Sequence, residues 1–566
     1  MLSPVRFQML RSAFPACLLT TLLFFGPACQ STGSDPGSEP PETSVQRPQG
    51  KIRLLLNSDG GSGSLYAHEP PITLQQVCRV LDELEDTQVD VFIQCISYGS
   101  FVAYGTKVGE VYGKGMTEFK NPNFRRWAQN VLGLLEKATD PLDIWASRAH
   151  ELGMQFWPSM RMNDIHKDWV DRWPSLRTTW ELERPHVRIG EGVPDRYVSR
   201  YDRRFSWAFD FAQKDVRDLK FSLIEEICQN YDVDGFEMDF LSHPMYFKKG
   251  QEQHGMAILT GFLRRIRQRM DEIGKEKGRK LTLMVRVLPR IDLCEEIGID
   301  VRTWIKEGVV DMVAPATRGY LDMTPDLSSF VELAKGTQVE ISGGISDLYV
   351  RGYTGSKGGR ASIEMMRAAS QSFWGQGVTS IHLFNYDAHA TGIQHHNTVA
   401  SLIDTSQNRL FNPEEFRILQ EIGDPEIISR RNKHYYITRD MEARLPEEGG
   451  EMQLPISLLE RDQKSLHLFV GDALESARSD GMLKSLKLAV TLAGYSRWDD
   501  DLRVQLNGTR LRGKLTGGRL LFEDVPAQQG KNELTLSLTR RSPNRNQPVR
   551  VQAVELLVEY ESRGAG

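Results

Sequence analysis

The sequence predicts an α/β fold, a (β/α)8 barrel, followed by a C-terminal antiparallel β-sandwich. Eight short apolar runs of β type, each followed by a stretch of helical periodicity, occupy about 350 residues. A doubly wound open sheet is disfavoured because no Gly-rich phosphate loop follows the first run. After about residue 402 the pattern changes to short alternating runs. The eight predicted strands cover 51–57, 89–96, 154–160, 234–240, 281–287, 309–315, 338–344 and 379–385.

Helical periodicity fills the gaps between these runs, and a long insertion follows the third strand. We assign residues 51–405 to the barrel on this basis. Examples of these predicted helices cover 74–84, 124–138, 216–229, 257–275, 301–306 and 361–374.

Downstream of the barrel, a helical connector over 406–429 leads to a predicted β-sandwich over 430–562. Asn507-Gly508 is typical of a hairpin turn, and Gly517-Gly518 marks another turn. Such a domain either binds carbohydrate or covers the barrel. Since Tyr495 and Trp498 are its only clustered candidates for exposed aromatic residues, we favour a packing role.

The N-terminal residues read as a targeting segment. Arg6 and Arg11 precede an apolar run over 13–25, which is too short to span a bilayer, and small residues precede Cys29. We predict a signal peptide over 1–28 and a tether rich in Ser, Thr, Gly and Pro over 29–50. Export to the periplasm, cell surface or medium follows. Lipidation of Cys29, which would give a membrane anchor, and simple secretion both remain open.

Composition excludes several classes of protein. The chain has 566 residues, with 70 basic and 75 acidic side chains and no basic block, which argues against a nucleic-acid partner. Six cysteines rule out a disulfide scaffold at this length. None has CxxC spacing, and we expect buried free thiols at Cys78, Cys95, Cys228 and Cys294. We predict no cofactor and no metal site.

The fourth strand carries the sharpest chemical signal. In YDVDGFEMDF, three apolar side chains alternate with Gly235, Glu237 and Asp239. A period of two directs both carboxylates into the barrel, with Glu237 about 6–7 Å deeper than Asp239. Two buried acids are costly unless they are used or paired. We therefore predict that Asp239 reaches the site, while pairing of Glu237 with an interior base remains open.

Polar residues also follow the other predicted strands, and the functional residues of such a barrel come from strand ends and βα loops. Strand 1 ends in Asn57-Ser58-Asp59, and strand 7 carries Glu340 in phase with Ser342. We predict a substrate-binding rim formed by Trp157, Arg161, Asn163, Asp164, His166, His243, Arg286, Arg318, His382 and Asn385.

Two carboxylates across a polar pocket are what glycoside hydrolysis requires. We assign Asp239 as nucleophile or base, Glu340 as the leading general acid and Glu237 as its substitute. Three rim arginines make an acidic or sulfated sugar a candidate substrate, since guanidinium groups pair bidentately with such anions. Aromatic faces near strand 3 suit sugar stacking or a packed loop core equally well; they belong to Trp157, Trp169, Trp173 and Trp180.

Three segments resemble the secreted bacterial glycosyl-hydrolase-like family 10 barrels: RMNDIH, YDVDGFEMDFLSHPMYF and VDMVAPATRGY. The resemblance covers about residues 51–400 and implies a barrel, a sugar substrate and an active-site role for Asp239. Strand 4 also resembles the family 18 chitinase motif at Asp234, Gly235 and Asp239. However, Leu241 stands where the chitinase proton donor belongs, which excludes that mechanism.

The sequence thus favours an exported glycoside hydrolase acting on a poly- or oligosaccharide. The alternative from another class is a carbohydrate-binding lipoprotein whose barrel has lost its acid. A third hypothesis, metal-dependent hydrolysis, is weakest because the histidines lack the spacing of zinc motifs; it would use Asp59, His166, Asp239 and His382.

Overall fold

The computed structural model describes most of the chain beyond residue 49. Backbone and side chains are described for 50–59, 63–119 (Tyr98 by its backbone alone), 121–165, 177–195, 205–346, 361–387, 410–437, 453–541 and 547–561, and the backbone alone is described for 349–350 and 359–360. The predicted signal peptide, Cys29, the tether and His166 lie outside these residues. Within them, no helix combines the length and apolar character needed to cross a membrane.

Eight parallel strands close into a barrel, which confirms the predicted fold class. Each strand forms from one of the eight apolar runs, and each pairs with its sequence neighbours except where β8 closes against β1. Their bounds are β1 Leu54–Ser58, β2 Val91–Cys95, β3 Gln155–Arg161, β4 Gly235–Asp239, β5 Thr282–Val287, β6 Met312–Pro315, β7 Glu340–Ile345 and β8 Ser380–Phe384.

Helices cover the outside of this barrel, and several begin at side-chain caps that the sequence supplies. Thr73 and Gln76 form a reciprocal capping box at the first helix, and Asn121 and Asp140 cap helices that begin with proline. The helix bounds are α1 Leu74–Asp82, α2 Pro122–Glu136, α3 Pro141–Glu151, α4 Thr179–Leu182, α5 Lys214–Asn230, α6 Glu252–Glu276, α7 Ile291–Glu296, α8 Val301–Lys306, α9 Ser328–Ala334 and α10 Ile363–Gly375. Two short hairpins pair Ser97–Tyr98 with Phe101–Val102 and Tyr349–Val350 with Gly359–Arg360.

The strand register sorts the inward-facing side chains into layers. Followed from strand to strand around the barrel, the pairing returns to β4 eight residues earlier, which is the shear of a TIM barrel. Each layer therefore takes one side chain from every second strand. From the amino-terminal end upward the layers are Val91, Gly235, Met312, Ser380; then Leu55, Trp157, Met284, Ser342; then Ile93, Glu237, Ala314, His382; then Asn57, Ser159, Arg286, Gly344.

The lower interior is largely apolar and closes the barrel beneath the mouth. Trp157 is fully buried there, and a Cβ at Gly235 would lie 2.8 Å from its indole ring. Position 235 therefore accepts only glycine without rearrangement. The apolar cluster comprises Leu55, Val91, Ile93, Trp157, Met284, Met312 and Ala314.

Residues beyond the barrel form α11 Pro413–Glu421, α12 Pro425–Ile428 and two antiparallel sheets. The strands are β9 Lys433–Tyr436, β10 Ile456–Leu458, β11 Gln463–Val470, β12 Leu483–Ala493, β13 Asp501–Leu506, β14 Thr509–Arg510, β15 Lys514–Thr516, β16 Arg519–Glu523, β17 Gly530–Arg540 and β18 Val549–Tyr560, with α13 Leu474–Ser479 between β11 and β12. One sheet has the order β9-β18-β12-β16-β15, with β10 also paired to β18, and the other β11-β17-β13-β14. The β-sandwich prediction is confirmed.

Both predicted turns join the paired strands as expected. Asn507 and Gly508 have φ of 51° and 77° between β13 and β14, the left-handed values that a tight hairpin requires. Gly517 and Gly518, also at positive φ, connect β15 to β16.

The sandwich packs against α10 and against the loop that follows β6. Ser372 Oγ donates to Phe469 O at 3.0 Å, and Tyr436 OH donates to Leu321 O at 2.6 Å. Gly471 lies directly against the Gln371 carbonyl, where a Cβ would collide with it. These contacts give the sandwich a packing role toward the barrel.

Candidate functional site

Asp239 is fully buried at the carboxyl-terminal end of β4. Its Oδ1 accepts from Leu241 N at 2.9 Å, Ser242 N at 3.1 Å and Arg286 Nη1 at 2.9 Å, and its Oδ2 accepts from Ser242 Oγ. Burial alone would raise the pKa of the carboxyl, but Arg286, Ser242, Arg161 and Leu241 outweigh burial and lower it. Asp239 is therefore a fixed, ionised carboxylate at neutral pH.

Arg286 on β5 connects this carboxylate to the next loops. Its Nη2 donates to Ser346 Oγ at 2.7 Å, and Ser346 Oγ in turn donates to Thr317 O. The guanidinium carbon lies 3.5 Å from the ring centroid of Phe384, a cation–π contact. Arg286 is thus held at its edge by two hydrogen bonds and on one face by the Phe384 ring, and it cannot swing away from Asp239 without losing these contacts.

A second group of charged side chains lies beside the Asp239–Arg286 pair, on the neighbouring strand β3. Arg161, at the end of β3, pairs in register with Asp239 and makes an ion pair with Asp59, which follows β1. The same guanidinium lies 3.5 Å from Asp164 Oδ2. All three side chains are almost completely buried. The mouth therefore contains Asp59, Asp164 and Asp239 arranged around one arginine.

Glu237 lies one layer below, enclosed by polar side chains from other strands. Asn57 Nδ2 donates to its Oε1 at 2.7 Å, and Ser159 Oγ donates to the same oxygen at 2.6 Å. His382 Nε2 on β8 lies 2.8 Å from Oε2 across the barrel axis. The alternation of β4 thus points both acids inward as predicted, and the interior base that faces Glu237 is a histidine.

Three further predicted rim residues lie at the mouth, and two of them, Asn163 and His243, form hydrogen bonds there. Asn163 donates to Met245 O and, at 3.1 Å, to Phe209 O, and it accepts from Phe209 N at 2.7 Å. His243 Nδ1 accepts from Ile165 N at 3.4 Å. Asn385 has a φ of 55°, a value that asparagine tolerates better than most residues. Asn163 therefore ties two loops together with both ends of its amide.

The structure does not bring every predicted residue to this place. Glu340 is the first residue of β7 and lies at the amino-terminal end of the barrel, where Thr379 Oγ1 donates to it at 3.2 Å. Trp157 lies in the buried floor, away from the rim. Arg318 is partly exposed after β6, and its charge acts on Arg286.

Several site residues were missed or undervalued in the sequence. Ser242 follows Asp239 by three positions, the spacing at which an aspartate accepts from a local turn, so that its role could have been anticipated. Ser346 and Asp387 carry no such signal. Asp387 is fully buried after β8 and accepts from Ser58 Oγ at 2.9 Å.

Within the described part of the chain, no group of three or more His, Cys, Asp or Glu side chains has the arrangement of a metal site. Among the carboxylates of the mouth, Asp59 and Asp164 pair with Arg161, and Asp239 pairs with Arg286. The chemistry available from the described residues is that of ionised carboxylates, fixed arginines and a buried histidine.

No protein-family model and no curated protein matches this chain. Its solved structural neighbours include (β/α)8-barrel glycoside hydrolases. The glycoside hydrolase domain of PgaB from Bordetella bronchiseptica aligns with a TM-score of 0.39 and 11% identity, covering 62% of this chain and 99% of that one. The trehalose-6-phosphate hydrolase of Bacillus licheniformis aligns with a TM-score of 0.37 and 11% identity, covering 87% and 100%.

A cycloisomaltooligosaccharide glucanotransferase from Paenibacillus sp., solved with cycloisomaltoheptaose, aligns with a TM-score of 0.32 and 9% identity. The alignment covers 89% of this chain but only 57% of the glucanotransferase, so this chain spans little more than half of that enzyme. All three matches are too distant to assign an activity here. The more specific resemblance to glycosyl-hydrolase-like family 10 stays a prediction.

Proposed function

We propose that this protein is an exported glycoside hydrolase that cleaves a poly- or oligosaccharide at the carboxyl-terminal mouth of its barrel. The observation that carries the proposal is the position of Asp239. It is an oriented, ionised carboxylate at the end of β4, beside the Asp59–Arg161–Asp164 group. Carboxylates on different strand ends of such a barrel are the arrangement that glycosidic cleavage uses.

Asp239 suits the role of nucleophile or base. Its lowered pKa keeps it ionised, and its donors hold its orientation without help from the substrate. The same lowered pKa excludes it as the proton donor, because a general acid must be protonated at the working pH.

The proton donor must therefore be a different carboxyl group. We no longer assign this role to Glu340, which lies at the other end of the barrel, and Glu237 is enclosed one layer below. Asp59 and Asp164 are the other carboxyl groups beside Asp239 at the level of the mouth. Both pair with Arg161, so either one must be released from that arginine by the bound substrate before it can hold the proton.

Because Arg161 and Arg286 already neutralise carboxylates, they give little support to a sulfated or acidic sugar. A neutral glycan is the first substrate class to test.

A non-catalytic carbohydrate-binding protein is the second candidate. It is favoured by the complete burial of Asp239, whose two oxygens together accept four hydrogen bonds from the protein. A carboxylate engaged in this way can be a structural part of a former active site. The two candidates differ in whether bound glycan is turned over.

The test is a glycan-panel activity screen of the purified full-length protein and its Asp239→Asn variant. We expect the variant to lose at least about 100-fold in rate, the scale of a lost general base. Asp311→Asn is the matched control, because Asp311 also pairs with an arginine and a backbone N–H but lies at the amino-terminal end of β6.

Circular dichroism melts of all three proteins separate a loss of activity from a loss of folding. Retained turnover in Asp239→Asn would remove Asp239 from the mechanism. Binding of a glycan without turnover by the unmodified protein would establish the second candidate instead.

A further inference from the structure

Beneath the candidate site, several buried polar atoms have no hydrogen-bond partner among the described residues, and three of them lie on β7 and β8. They are Ser342 Oγ on β7 and Ser380 Oγ and His382 Nδ1 on β8. All three side chains are 0% exposed. Buried hydroxyl and imidazole groups are nearly always partnered, by protein or by ordered water.

The three atoms belong to one strip of the barrel wall. Ser342 and Ser380 are register partners on neighbouring strands, and His382 is two residues beyond Ser380 on the same face. They occupy three successive interior layers, with His382 uppermost, facing Glu237. Two residues before Ser342, Glu340 shares its face and is partly exposed at the amino-terminal end.

Small side chains lie in and beside this strip. Bulky branched residues usually fill the interior of a TIM barrel. Here β8, β7 and β6 contribute Ser380, Ser342 and Ala314 to the first, second and third layers. The largest residue of these layers, Trp157, comes from β3, while Met312 on β6 and Leu55 on β1 lie nearer the strip. Polar atoms and small side chains coincide, which is the combination that holds internal water.

We propose that this strip is a binding site for a short chain of ordered water molecules inside the barrel. The water partners the hydroxyls of Ser342 and Ser380 and the Nδ1 atom of His382, and it reaches solvent beside Glu340. With Nδ1 hydrated and Nε2 facing Glu237, the imidazole ring has one preferred orientation. This inference concerns the barrel interior and does not depend on which reaction the mouth performs.

The proposal predicts the direction in which two substitutions shift the urea midpoint of unfolding of the full-length protein. If water partners the hydroxyls, Ser342→Ala and Ser380→Ala each lower the urea midpoint of unfolding, because each removes a made hydrogen bond. If the hydroxyls are dry, their removal relieves a desolvated polar group and leaves the midpoint unchanged or raises it.

Ser370→Ala is the matched control, since Ser370 Oγ on α10 is also fully buried and unpartnered but lies outside the strip. We expect its urea midpoint to stay level or rise. The proposal is supported if the urea midpoints of both strip variants fall relative to this control. It is overturned if the midpoint of one or both of them does not fall.

A high-resolution crystal structure of the full-length protein gives an independent readout. Ordered water within hydrogen-bond distance of Ser342 Oγ, Ser380 Oγ and His382 Nδ1 supports the proposal. Protein atoms packed against these groups, with no solvent density between them, would overturn it.

Discussion

The side chain of Asp239 shows how one residue can be both fully buried and ionised. Burial disfavours its charge, and the barrel compensates with an arginine from the next strand and a turn that follows immediately. Its lowered pKa stabilises the fold above the unfolded-state value of about 3.9, and this stabilisation is lost as the pH falls through the lower folded value.

His68 provides a second residue-scale effect, in the loop between β1 and α1. Burial, followed by the charges of Arg79 and Arg126, lowers its pKa from 6.5 to about 4. The unfolded chain therefore takes up a proton at His68 first as the pH falls. The contribution of neutral His68 to stability is complete above pH 6.5 and is lost progressively down to about pH 4.

We predict that His68→Asn flattens this dependence. The melting temperature of the variant should fall less than that of the unmodified protein between pH 6.5 and pH 4.5. The baseline is pH 8, where His68 is neutral in both the folded and the unfolded chain. Calorimetric melts at the three pH values provide the measurement. Parallel curves for the two proteins would contradict it.

At the scale of single residues, the sequence predicts whether a strand side chain points into the barrel, but it does not predict how far along the barrel axis that side chain lies. Alternation alone points Asp239, Glu237 and Glu340 inward, because the period of a strand is local. Their heights in the barrel depend on register and shear, which arise from pairing between distant segments. This is why Glu340 shares the predicted face but lies at the wrong end for the mouth, and why His382 could not be matched to Glu237 beforehand.

At the scale of elements, the apolar runs were sufficient to locate all eight barrel strands to within a few residues. Strands buried on both faces read as continuous apolar runs, so the signal is strong. Helix α3 lies in a gap where helical structure was expected, but its start was not located, although Asp140-Pro141 supplies a capping residue followed by proline at the first helical position. Asp140-Pro141 marks where the helix begins, and hydrophobic periodicity alone does not show where a helix begins.

The contact between Gly471 and α10 gives an element-scale prediction. Gly471→Ala should destabilise the protein by about 1–3 kcal/mol or more, because the new Cβ would collide with the Gln371 carbonyl and push the sandwich from the helix. Gly261→Ala is the control: this residue lies within α6 with no other atom within 4 Å of an added Cβ, and alanine there should stabilise by about 0.5–1 kcal/mol.

Urea unfolding of both glycine variants tests this difference in sign. A Gly471→Ala protein as stable as the unmodified one would show that the sandwich does not press on α10 as described.

At the scale of the whole molecule, a buried polar cluster joins the two sheets of the sandwich to the connector. Lys433 Nζ lies 2.7 Å from Asp472 Oδ1 and also donates to the Ile428 carbonyl, and the hydroxyls of Tyr435 and Tyr560 donate to the same aspartate. Such a group is stable only when complete, because removing one partner leaves a buried charge uncompensated.

Thiol reactivity reports on the integrity of the folded chain as a whole. Burial raises the pKa of Cys95 and Cys228 to about 12 and also raises that of Cys294, while that of half-buried Cys78 rises to about 11. Since the thiolate is the reactive form, we predict that Ellman's reagent at pH 8 modifies none of the three buried thiols in the native state.

The measurement uses a Cys17→Ser, Cys29→Ser background, so that only these four thiols are counted. All four should react once guanidinium unfolds the protein. Rapid native-state modification of any of the three buried thiols would show that the barrel opens on the timescale of the assay.

The position of β18 within the sandwich constrains when the molecule can be completed during synthesis. This strand pairs with β9, β10 and β12, all of which precede it in the chain. The sheet whose strand β9 packs against α10 therefore lacks the strand that joins β9 to β12 until residue 560 has been made. Between Gly375 and Tyr560 lie about 185 residues, or about 10–40 s of translation. During this time α10 is already synthesised, but the sheet that packs against it is incomplete.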